Sequence, residues 1–151
     1  DGGDKFWYIN DKRHREDGPA VEYSDGNKEW YLDGIRHRKD GPAVESYSGH
    51  KEWWLNGMRH REDGPAVELD GGDKFWYIND KRHREDGPAV VKAGGIRVWY
   101  LDGKRVSKKE VDIFKLKNAG ADDLDIDILN DLGLFEGMIL GYKSFKNMNR
   151  S

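Results

Sequence analysis

Short apolar runs alternate with polar turns along the first hundred residues of the chain. One run, residues 28–32, reads Lys-Glu-Trp-Tyr-Leu and is followed by Asp33-Gly34. Asp-Gly and Asn-Gly pairs favour two-residue hairpin turns, because both positions tolerate positive φ. Asn10-Asp11 and Asn79-Asp80 hold the same place in two other units and can also enter that region. After each hairpin, a turn at Asp-Gly-Pro leads to a second β-prone run at Ala-Val-Glu, so two antiparallel strands are predicted per unit.

This pattern returns every 23 residues. The period is carried by tryptophans, by histidines seven places after them and by prolines twelve places after them: Trp7, Trp30, Trp53, Trp76 and Trp99; His14, His37, His60 and His83; Pro19, Pro42, Pro65 and Pro88. Residues 1–21 recur letter for letter at 70–90, which indicates growth by duplication of a three-unit block. A period of this length is typical of stacked arrays in which no unit buries its own apolar face. We therefore predict a mainly β fold, an elongated antiparallel meander of five stacked β-hairpin units over residues 1–106.

Strand alternation divides the aromatic residues between two faces of the sheet. One face carries the tryptophan row and a parallel aliphatic row, which together form the predicted core: Ile9, Leu32, Leu55, Ile78 and Leu101 beside the five tryptophans. The opposite face carries a half-exposed row that we predict to contact a partner: Tyr8, Tyr31, Trp54, Tyr77 and Tyr100. Aromatic side chains of this kind often anchor protein interfaces.

Residues 107–151 predict a helical C-terminal cap and an apolar tail. Ser107 and Glu110 form a Ser-x-x-Glu capping box, and the helix that it begins has an apolar face and a natural stop at Gly120. This helix should cover the open end of the sheet. Residues 124–132 suggest a second helix, although their first half also alternates like a strand. The remaining apolar residues, from Leu134 to Phe145, should fold against the cap or against another subunit.

Composition narrows the choice of function. There are 26 basic and 29 acidic residues, interleaved along every unit, with a net charge of -3. This balance disfavours nucleic acid, although Arg13, Arg36, Arg59, Arg82 and Arg105 recur beside aromatics that could stack bases. The absence of cysteine excludes disulfides and thiolate metal sites. A mean hydropathy of -0.97 predicts a thin body, one sheet deep, and no segment resembles a signal peptide or a membrane span.

The block His-Arg-x-Asp-Gly-Pro-Ala has two interpretations. It could form a ladder of ligand, glycan or metal sites from one histidine and one aspartate per unit: His14 and Asp17, His37 and Asp40, His60 and Asp63, His83 and Asp86. It could instead be structural, with Asp40 accepting backbone amides in its own turn and Arg38 pairing with carboxylates of adjacent units. A catalytic site rarely occurs four times at one spacing. A turn that is part of the fold of every unit must recur at that spacing.

No enzyme, cofactor or metal site is predicted. The sequence contains no cysteine nucleophile, no Gly-x-Ser-x-Gly elbow and no phosphate-binding glycine loop at a helix start. It also lacks closely spaced histidine pairs for a metal. The aspartates at 123, 125 and 127 match an EF-hand loop only in part, because Ile128 and Leu134 replace the glycine and the glutamate that the loop requires.

Trp-Tyr-Leu-Asn/Asp-Gly followed by His-Arg-x-Asp-Gly-Pro-Ala resembles the MORN-repeat variants of phage, giant-virus and bacterial proteins. The resemblance covers about residues 1–106. It implies stacked β-hairpins and a role in protein interaction or assembly. Ordinary MORN repeats lack the His-Arg and Gly-Pro elements, so their membrane association is not implied for this chain.

The expected function is a non-enzymatic repeat scaffold that binds a protein partner or copies of itself, as a homo-oligomer or a larger assembly. The resemblance favours a phage or viral setting, either a virion or the cytoplasm of an infected or bacterial cell. Two alternatives stay open. One is ligand, glycan or metal binding in the His-Arg-x-Asp turns, and the other is antitoxin-like neutralisation of a partner, as some bacterial relatives of that family are labelled.

Overall fold

The computed structural model describes residues 2–118, and β-strands dominate them. The strands, numbered in chain order, are β1 (Lys5–Phe6), β2 (Tyr8–Ile9), β3 (Lys12–Arg13), β4 (Val21–Glu22), β5 (Lys28–Glu29), β6 (Tyr31–Leu32), β7 (Ile35–Arg36), β8 (Val44–Glu45), β9 (Lys51–Glu52), β10 (Trp54–Leu55), β11 (Met58–Arg59), β12 (Val67–Glu68), β13 (Lys74–Phe75), β14 (Tyr77–Ile78), β15 (Lys81–Arg82), β16 (Val90–Val91), β17 (Arg97–Leu101) and β18 (Lys104–Val106). Helix α1 (Lys108–Asn118) follows them. The predicted mainly β fold with a helical C-terminal segment is confirmed.

Ten of the strands form one antiparallel sheet in the order β1-β4-β5-β8-β9-β12-β13-β16-β17-β18. Each of the first four units adds one strand before its tryptophan and one Ala-Val strand, so the strands of this sheet follow chain order with only the hairpin strands left out. The remaining strands form four separate hairpins, β2-β3, β6-β7, β10-β11 and β14-β15. A unit therefore holds four short strands, and the prediction of two was wrong.

The tryptophan is the point at which each predicted strand divides. The Trp30 amide donates to the carbonyl of Ala43 at 2.8 Å, and the Trp30 carbonyl accepts from the amide of His37 at 3.2 Å. These bonds tie the tryptophan to its own turn block, so the chain leaves the long sheet there and enters the hairpin. The fifth unit has no such block, and β17 runs unbroken through Trp99.

The predicted hairpin turns are confirmed. Both turn residues have positive φ in every unit, including the Asn-Asp pairs: 50° and 59° at Asn10 and Asp11, and 47° and 65° at Asn79 and Asp80. A second type of turn joins each Ala-Val-Glu strand to the next unit, and its glycine also has positive φ, for example 92° at Gly26.

The predicted core needs correction. None of the five tryptophans is buried; each is half-buried, and Ile9 is exposed. The buried apolar residues are small and come almost entirely from the Ala-Val strands: Ala20, Val21, Ala43, Ala66, Val67, Ala89, Val90 and Val111. A sheet of two-residue strands cannot enclose an indole ring, and the first four tryptophans are instead covered on one face by an arginine side chain.

Helix α1 begins with the predicted capping box. The Glu110 amide donates to Ser107 Oγ at 3.1 Å, and the Ser107 amide donates to Glu110 Oε2 at 2.7 Å. Hydrogen bonds to the Glu110 carboxylate, first from the Ser107 amide and then from the Ser107 hydroxyl, lower the pKa of Glu110. Val111 is buried where the helix contacts β17. The predicted stop at Gly120, second helix and apolar tail lie outside the described residues.

Candidate interaction surface and turn grooves

The predicted aromatic row lies on the hairpins and alternates with arginines. In the hairpin register, Tyr31 is the cross-strand neighbour of Arg36, and the aromatic residue of the next unit lies on the other side of that guanidinium. The Arg36 Cζ atom lies 5.7 Å from the ring centre of Tyr31 and 5.5 Å from that of Trp54. Arg59 is held in the same way, 5.1 Å from Trp54 and 5.3 Å from Tyr77. We call the whole row the arginine–aromatic ladder: Tyr8, Arg13, Tyr31, Arg36, Trp54, Arg59, Tyr77, Arg82 and Tyr100.

Hydrogen bonds fix the side chains of the ladder. The Tyr31 hydroxyl donates to Glu29 Oε2 at 2.7 Å and accepts from Arg36 Nε at 3.0 Å, while Arg36 Nη2 lies 3.4 Å from Glu29 Oε1. Burial and the bond to Glu29 raise the pKa of Tyr31. The pKa of Arg36 is also raised: burial, the largest single influence, lowers it, but the interactions with Tyr31 and Glu29 outweigh that effect. The guanidinium is thus a fixed cation at the working pH.

Trp54 changes this network at one point. Its indole N–H donates to Glu52 Oε2 at 2.7 Å, which reproduces the bond from Tyr31 to Glu29. An indole has no acceptor, however, and cannot take the bond that Arg36 gives to a tyrosine hydroxyl. Arg59 Nε is consequently buried without a hydrogen-bond partner among the described residues.

The ladder is only partly available to a partner. Tyr8 is 55% exposed, whereas Tyr31, Trp54, Tyr77 and Tyr100 are half-buried between arginines. The ladder arginines were not among the predicted contact residues, although their 23-residue period and their place beside aromatics were visible in the sequence.

The four histidines of the turn blocks join successive units. Nδ1 of each histidine accepts the backbone amide of the first hairpin-turn residue 19 positions later: 3.0 Å from Asp33 to His14, 3.0 Å from Asn56 to His37, 3.2 Å from Asn79 to His60 and 3.0 Å from Asp102 to His83. The imidazole thereby satisfies an amide that the positive-φ turn leaves open. Nδ1 of His14 also lies 3.0 Å from Asp33 Oδ1, and Nδ1 of His60 lies 3.0 Å from Asn79 Oδ1.

The arginine after each histidine locks the block within its own unit. Arg38 stacks on Trp30 with its Cζ atom 4.0 Å from the ring centre. It also donates to Asp40 at 3.0 Å, to the Pro42 carbonyl at 3.0 Å and to Glu45 at 2.8 Å. The expectation that Arg38 pairs with carboxylates of adjacent units was therefore wrong. Arg15, Arg61 and Arg84 repeat the stack at 4.1, 3.9 and 4.0 Å.

Asp40 and its counterpart Asp17 each accept a hydrogen bond from the arginine of their own turn block. We call the contacts of that arginine the turn lock. The hydrogen bond from Arg38 is the largest influence that lowers the pKa of Asp40, and Arg15 acts in the same way on Asp17. Gly41 is required for a steric reason: a Cβ atom there would lie 2.9 Å from Arg38 Cζ. The Asp-Gly-Pro turn leaves room for the guanidinium to lie flat on the indole.

Open grooves lie between successive turn blocks. The first has a volume of about 670 Å³, with Trp30 and Leu32 at its base and residues 15–19 and 37–40 along its sides. Equivalent grooves of 740 and 820 Å³ occur one and two units later. Neither hydrogen bond nor ion pair joins His37 to Asp40 within residues 2–118, and no cluster there has three or more side chains able to hold a metal. The structure places the other predicted pairs (His14 and Asp17, His60 and Asp63, His83 and Asp86) in the same arrangement.

No protein-family model matches the chain, and a search of curated proteins finds no match either. Across the described residues, no helix has the length and apolar character needed to cross a membrane.

Proposed function

We propose that this protein is a non-enzymatic repeat scaffold that binds a protein partner, or copies of itself, through the arginine–aromatic ladder. The observation that carries the proposal is the fixed alternation of arginine and aromatic side chains over successive units. Side chains already held in place lose little conformational entropy on binding, and arginine and aromatic residues are the types that contribute most to interface energy. A long row of identical steps also suits an extended partner.

The resemblance of the turn blocks to the MORN variants supports a phage or viral setting for this scaffold. In that setting the partner would be a structural protein of the virion or a protein of the infected cell. Ligand binding by the turn blocks has less support, because His37 accepts a backbone amide and Asp40 accepts from Arg38. Both groups that a ligand would need are engaged in holding the fold.

The first experiment is light scattering of the purified chain over a range of concentrations. A mass that rises to a defined multiple would support self-assembly. A mass that stays at 17.4 kDa would direct attention to a foreign partner. Either result sets up the second experiment, which tests the surface itself.

In the second experiment, a photo-crosslinking amino acid replaces Tyr31 or Tyr77 in the ladder, or Tyr47 as a control. Tyr47 is 85% exposed and lies in a turn away from the ladder, so it is a matched aromatic position that the proposal does not use. We expect crosslinks to a second copy or to a specific protein from positions 31 and 77 but not from 47. Equal crosslinking from all three positions, or none from the ladder, would contradict the proposal.

A further inference from the structure

One position of the hairpins changes its chemistry between units. It is the first residue of the second hairpin strand, which is lysine in three units and apolar in two: Lys12, Ile35, Met58, Lys81 and Lys104. Ile35 is 49% exposed and Met58 is 38% exposed, although the lysines show that the fold accepts a polar side chain at this position. Exposed apolar residues that the fold does not require, in two successive units, indicate a contact outside the fold.

These residues lie on the face of the hairpins opposite the arginine–aromatic ladder, because side chains alternate along a strand. Leu32 lies directly across from Ile35, and Leu55 lies directly across from Met58. Directly paired residues share one face of a hairpin, so each of the two units contributes two neighbouring apolar side chains. Leu32 and Leu55 are half-buried and also line the first and second turn grooves.

The apolar side chains of the two units form one patch. A Cβ atom at Gly57 would lie 3.0 Å from Ile35 Cγ2, so Ile35 covers the turn that leads into Met58. The Gly57 amide donates to the Arg36 carbonyl at 2.9 Å, which fixes the second hairpin beside the first. We call this surface the apolar hairpin patch, formed by Leu32, Ile35, Leu55 and Met58.

A lysine lies at each end of the apolar hairpin patch. Lys12 lies beside the turn of the second unit, where a Cβ atom at Gly34 would be 3.6 Å from Lys12 Cβ. Lys81 occupies the same position in the fourth unit, beyond Met58. Both lysines are exposed, and within residues 2–118 neither side chain forms a hydrogen bond or an ion pair. In this part of the chain, the patch is an apolar strip with an unpaired cation at either end.

The aspartates of the neighbouring hairpin turns are engaged elsewhere. Asp33 Oδ1 lies 3.0 Å from His14 Nδ1, and Asp80 Oδ1 accepts from the Arg59 amide at 3.4 Å. These carboxylates therefore bind the unit before them and do not pair with the lysines. An occupant with a carboxylate at each end would complement the charge of the strip.

The spacing of the units selects the conformation of the occupant. Each unit adds two strands to the long sheet, so successive units are about 9.6 Å apart, twice the usual separation of paired strands. The ring centres of Trp54 and Tyr77 lie 5.1 and 5.3 Å from the Arg59 Cζ atom between them, which agrees with this pitch. A polyproline II helix rises about 9.3 Å in a turn of three residues, so every third side chain lies on one face. In a β-strand, side chains three residues apart lie on opposite faces.

The apolar hairpin patch is too small to hold a second folded copy of the chain. It is two units long, roughly 20 Å by 10 Å, and therefore offers on the order of 200 Å². A stable interface between folded proteins buries about 800 Å² on each partner. A short polyproline II segment suits this area, because its conformation is formed in advance and little entropy is lost on binding.

We propose that the apolar hairpin patch binds a proline-rich acidic segment of another protein in the polyproline II conformation. The segment has an acidic residue, two apolar residues and a second acidic residue, each three positions after the one before. The apolar pair contacts Ile35 and Met58, and the two carboxylates pair with Lys12 and Lys81. This site lies on the opposite face of the hairpins from the arginine–aromatic ladder and does not depend on the function proposed for the ladder.

The test uses the full chain with ¹³C-labelled isoleucine and methionine methyl groups and the synthetic peptide acetyl-Glu-Pro-Pro-Leu-Pro-Pro-Leu-Pro-Pro-Glu-amide. The control peptide has the same composition but places its leucines two positions apart. We expect the first peptide to shift the methyl signals of Ile35 and Met58 and to bind about tenfold more tightly than the control. Ile96 is 64% exposed and lies outside the hairpins, so its methyl signals are the internal reference and should not shift.

Two double variants separate the apolar contacts from the charged ones. Ile35→Lys with Met58→Lys should weaken binding about tenfold, and this variant should fold because lysine occupies the same position in three other units. Lys12→Glu with Lys81→Glu should weaken binding about fivefold, and a peptide with lysine in place of both glutamates should restore it.

Three results would overturn the proposal. The first is equal or absent binding of the two peptides, and the second is binding that the double lysine variant leaves unchanged. The third is a shift of the Ile35 and Met58 methyl signals that grows with protein concentration in the absence of peptide, since a second copy would then cover the patch.

Discussion

A single arginine makes most of the contacts that hold each turn block together. Arg38 combines one stacking contact on Trp30 with hydrogen bonds to two carboxylates and one carbonyl. Lysine could supply the charge but neither the flat face nor the fork of donors. This explains why the block keeps arginine after the histidine in all four units.

We expect Arg38→Lys to lower the free energy of unfolding by about 2 kcal/mol, because the stack and two charge-assisted bonds are lost. Urea unfolding followed by tryptophan fluorescence measures the change. Arg84→Lys is the matched control and should cost less, since Val91 replaces the glutamate partner in that unit. An unchanged midpoint for Arg38→Lys would show that the lock contributes little.

Gly41 should not tolerate a methyl group. Gly41→Ala would place Cβ against the guanidinium of Arg38, and displacement of the stack should cost about 1–2 kcal/mol. Gly71→Ala is the control, because a Cβ atom at that position would meet nothing within 4 Å. Thermal unfolding of the two variants should separate them clearly, and equal melting temperatures would contradict the steric argument.

The orphaned nitrogen of Arg59 predicts an order of stability at position 54. Trp54→Tyr supplies an acceptor for Arg59 Nε and keeps a donor for Glu52, whereas Trp54→Phe loses the donor and supplies no acceptor. The tyrosine variant should be more stable than the phenylalanine variant by about 1–2 kcal/mol, measured by denaturant unfolding. Tyr77→Phe, which removes the acceptor of Arg82, should show a loss of similar origin. No difference between the two variants at position 54 would rule out a role for this bond.

At the scale of elements, the hairpin turns set the geometry between units, because their amides bond to the preceding histidine. Two of the five turns place aspartate, not glycine, at the second positive-φ position, at Asp11 and Asp80. An L-residue there carries a conformational cost that glycine avoids.

We expect Asp80→Gly to stabilise the array by up to about 1 kcal/mol, since glycine adopts positive φ without that cost. The reverse change, Gly103→Asp, tests the same position in a unit where the nearest contact of a Cβ atom is 3.7 Å away. It should destabilise by a similar amount. Differential scanning calorimetry gives both values, and a loss of stability for Asp80→Gly would show that the aspartate side chain does more than fill the turn.

The hairpin turns, the sheet connectivity and the capping box of α1 could be predicted from the sequence, because each depends on residues close together in the chain. The division of the strand at Trp30 could not, since alternation along residues 28–32 continues through the tryptophan. The core prediction failed for a related reason. Large apolar residues suggest a core, but the residues that are buried, such as Ala43 and Val67, are small and lie on the Ala-Val strands.

The candidate site was predicted only in part. The aromatic row was visible from strand alternation, but its pairing with Arg36 depends on how one hairpin lies against the next. In the same way, the bond from the Asn56 amide to His37 joins residues of two units. Contacts between units depend on how each unit is displaced and rotated relative to the unit before it. The sequence of a single repeat does not determine that displacement.

At the scale of the whole molecule, the turn locks make the array sensitive to acid. The pKa values of Asp17 and Asp40 are lowered in the fold, so each carboxylate stabilises the folded state above its unfolded pKa, and this stabilisation is lost as pH falls through the folded pKa. Below about pH 4 the turn blocks that contain Asp17 and Asp40 should weaken together.

Unfolding by urea at pH 3 and at pH 6 measures this effect, and we expect a lower midpoint at pH 3. Asp40→Asn removes one titrating group, so the midpoint of this variant should depend less on pH than that of the unchanged chain. A variant with the same pH dependence as the unchanged chain would mean that other carboxylates dominate.

The two copies of one 21-residue segment, at the start and in the fourth unit, also bear on how such a chain evolves. The same residues fit either position in the array, because neighbouring units are joined through the same few groups on each side. A recombination event that inserts or deletes whole units therefore creates few new types of contact, and the described exception is Trp54, beside which Arg59 Nε lacks a hydrogen-bond partner. We therefore expect gain or loss of a whole unit to be tolerated better than substitution of the residues that contact a neighbouring unit.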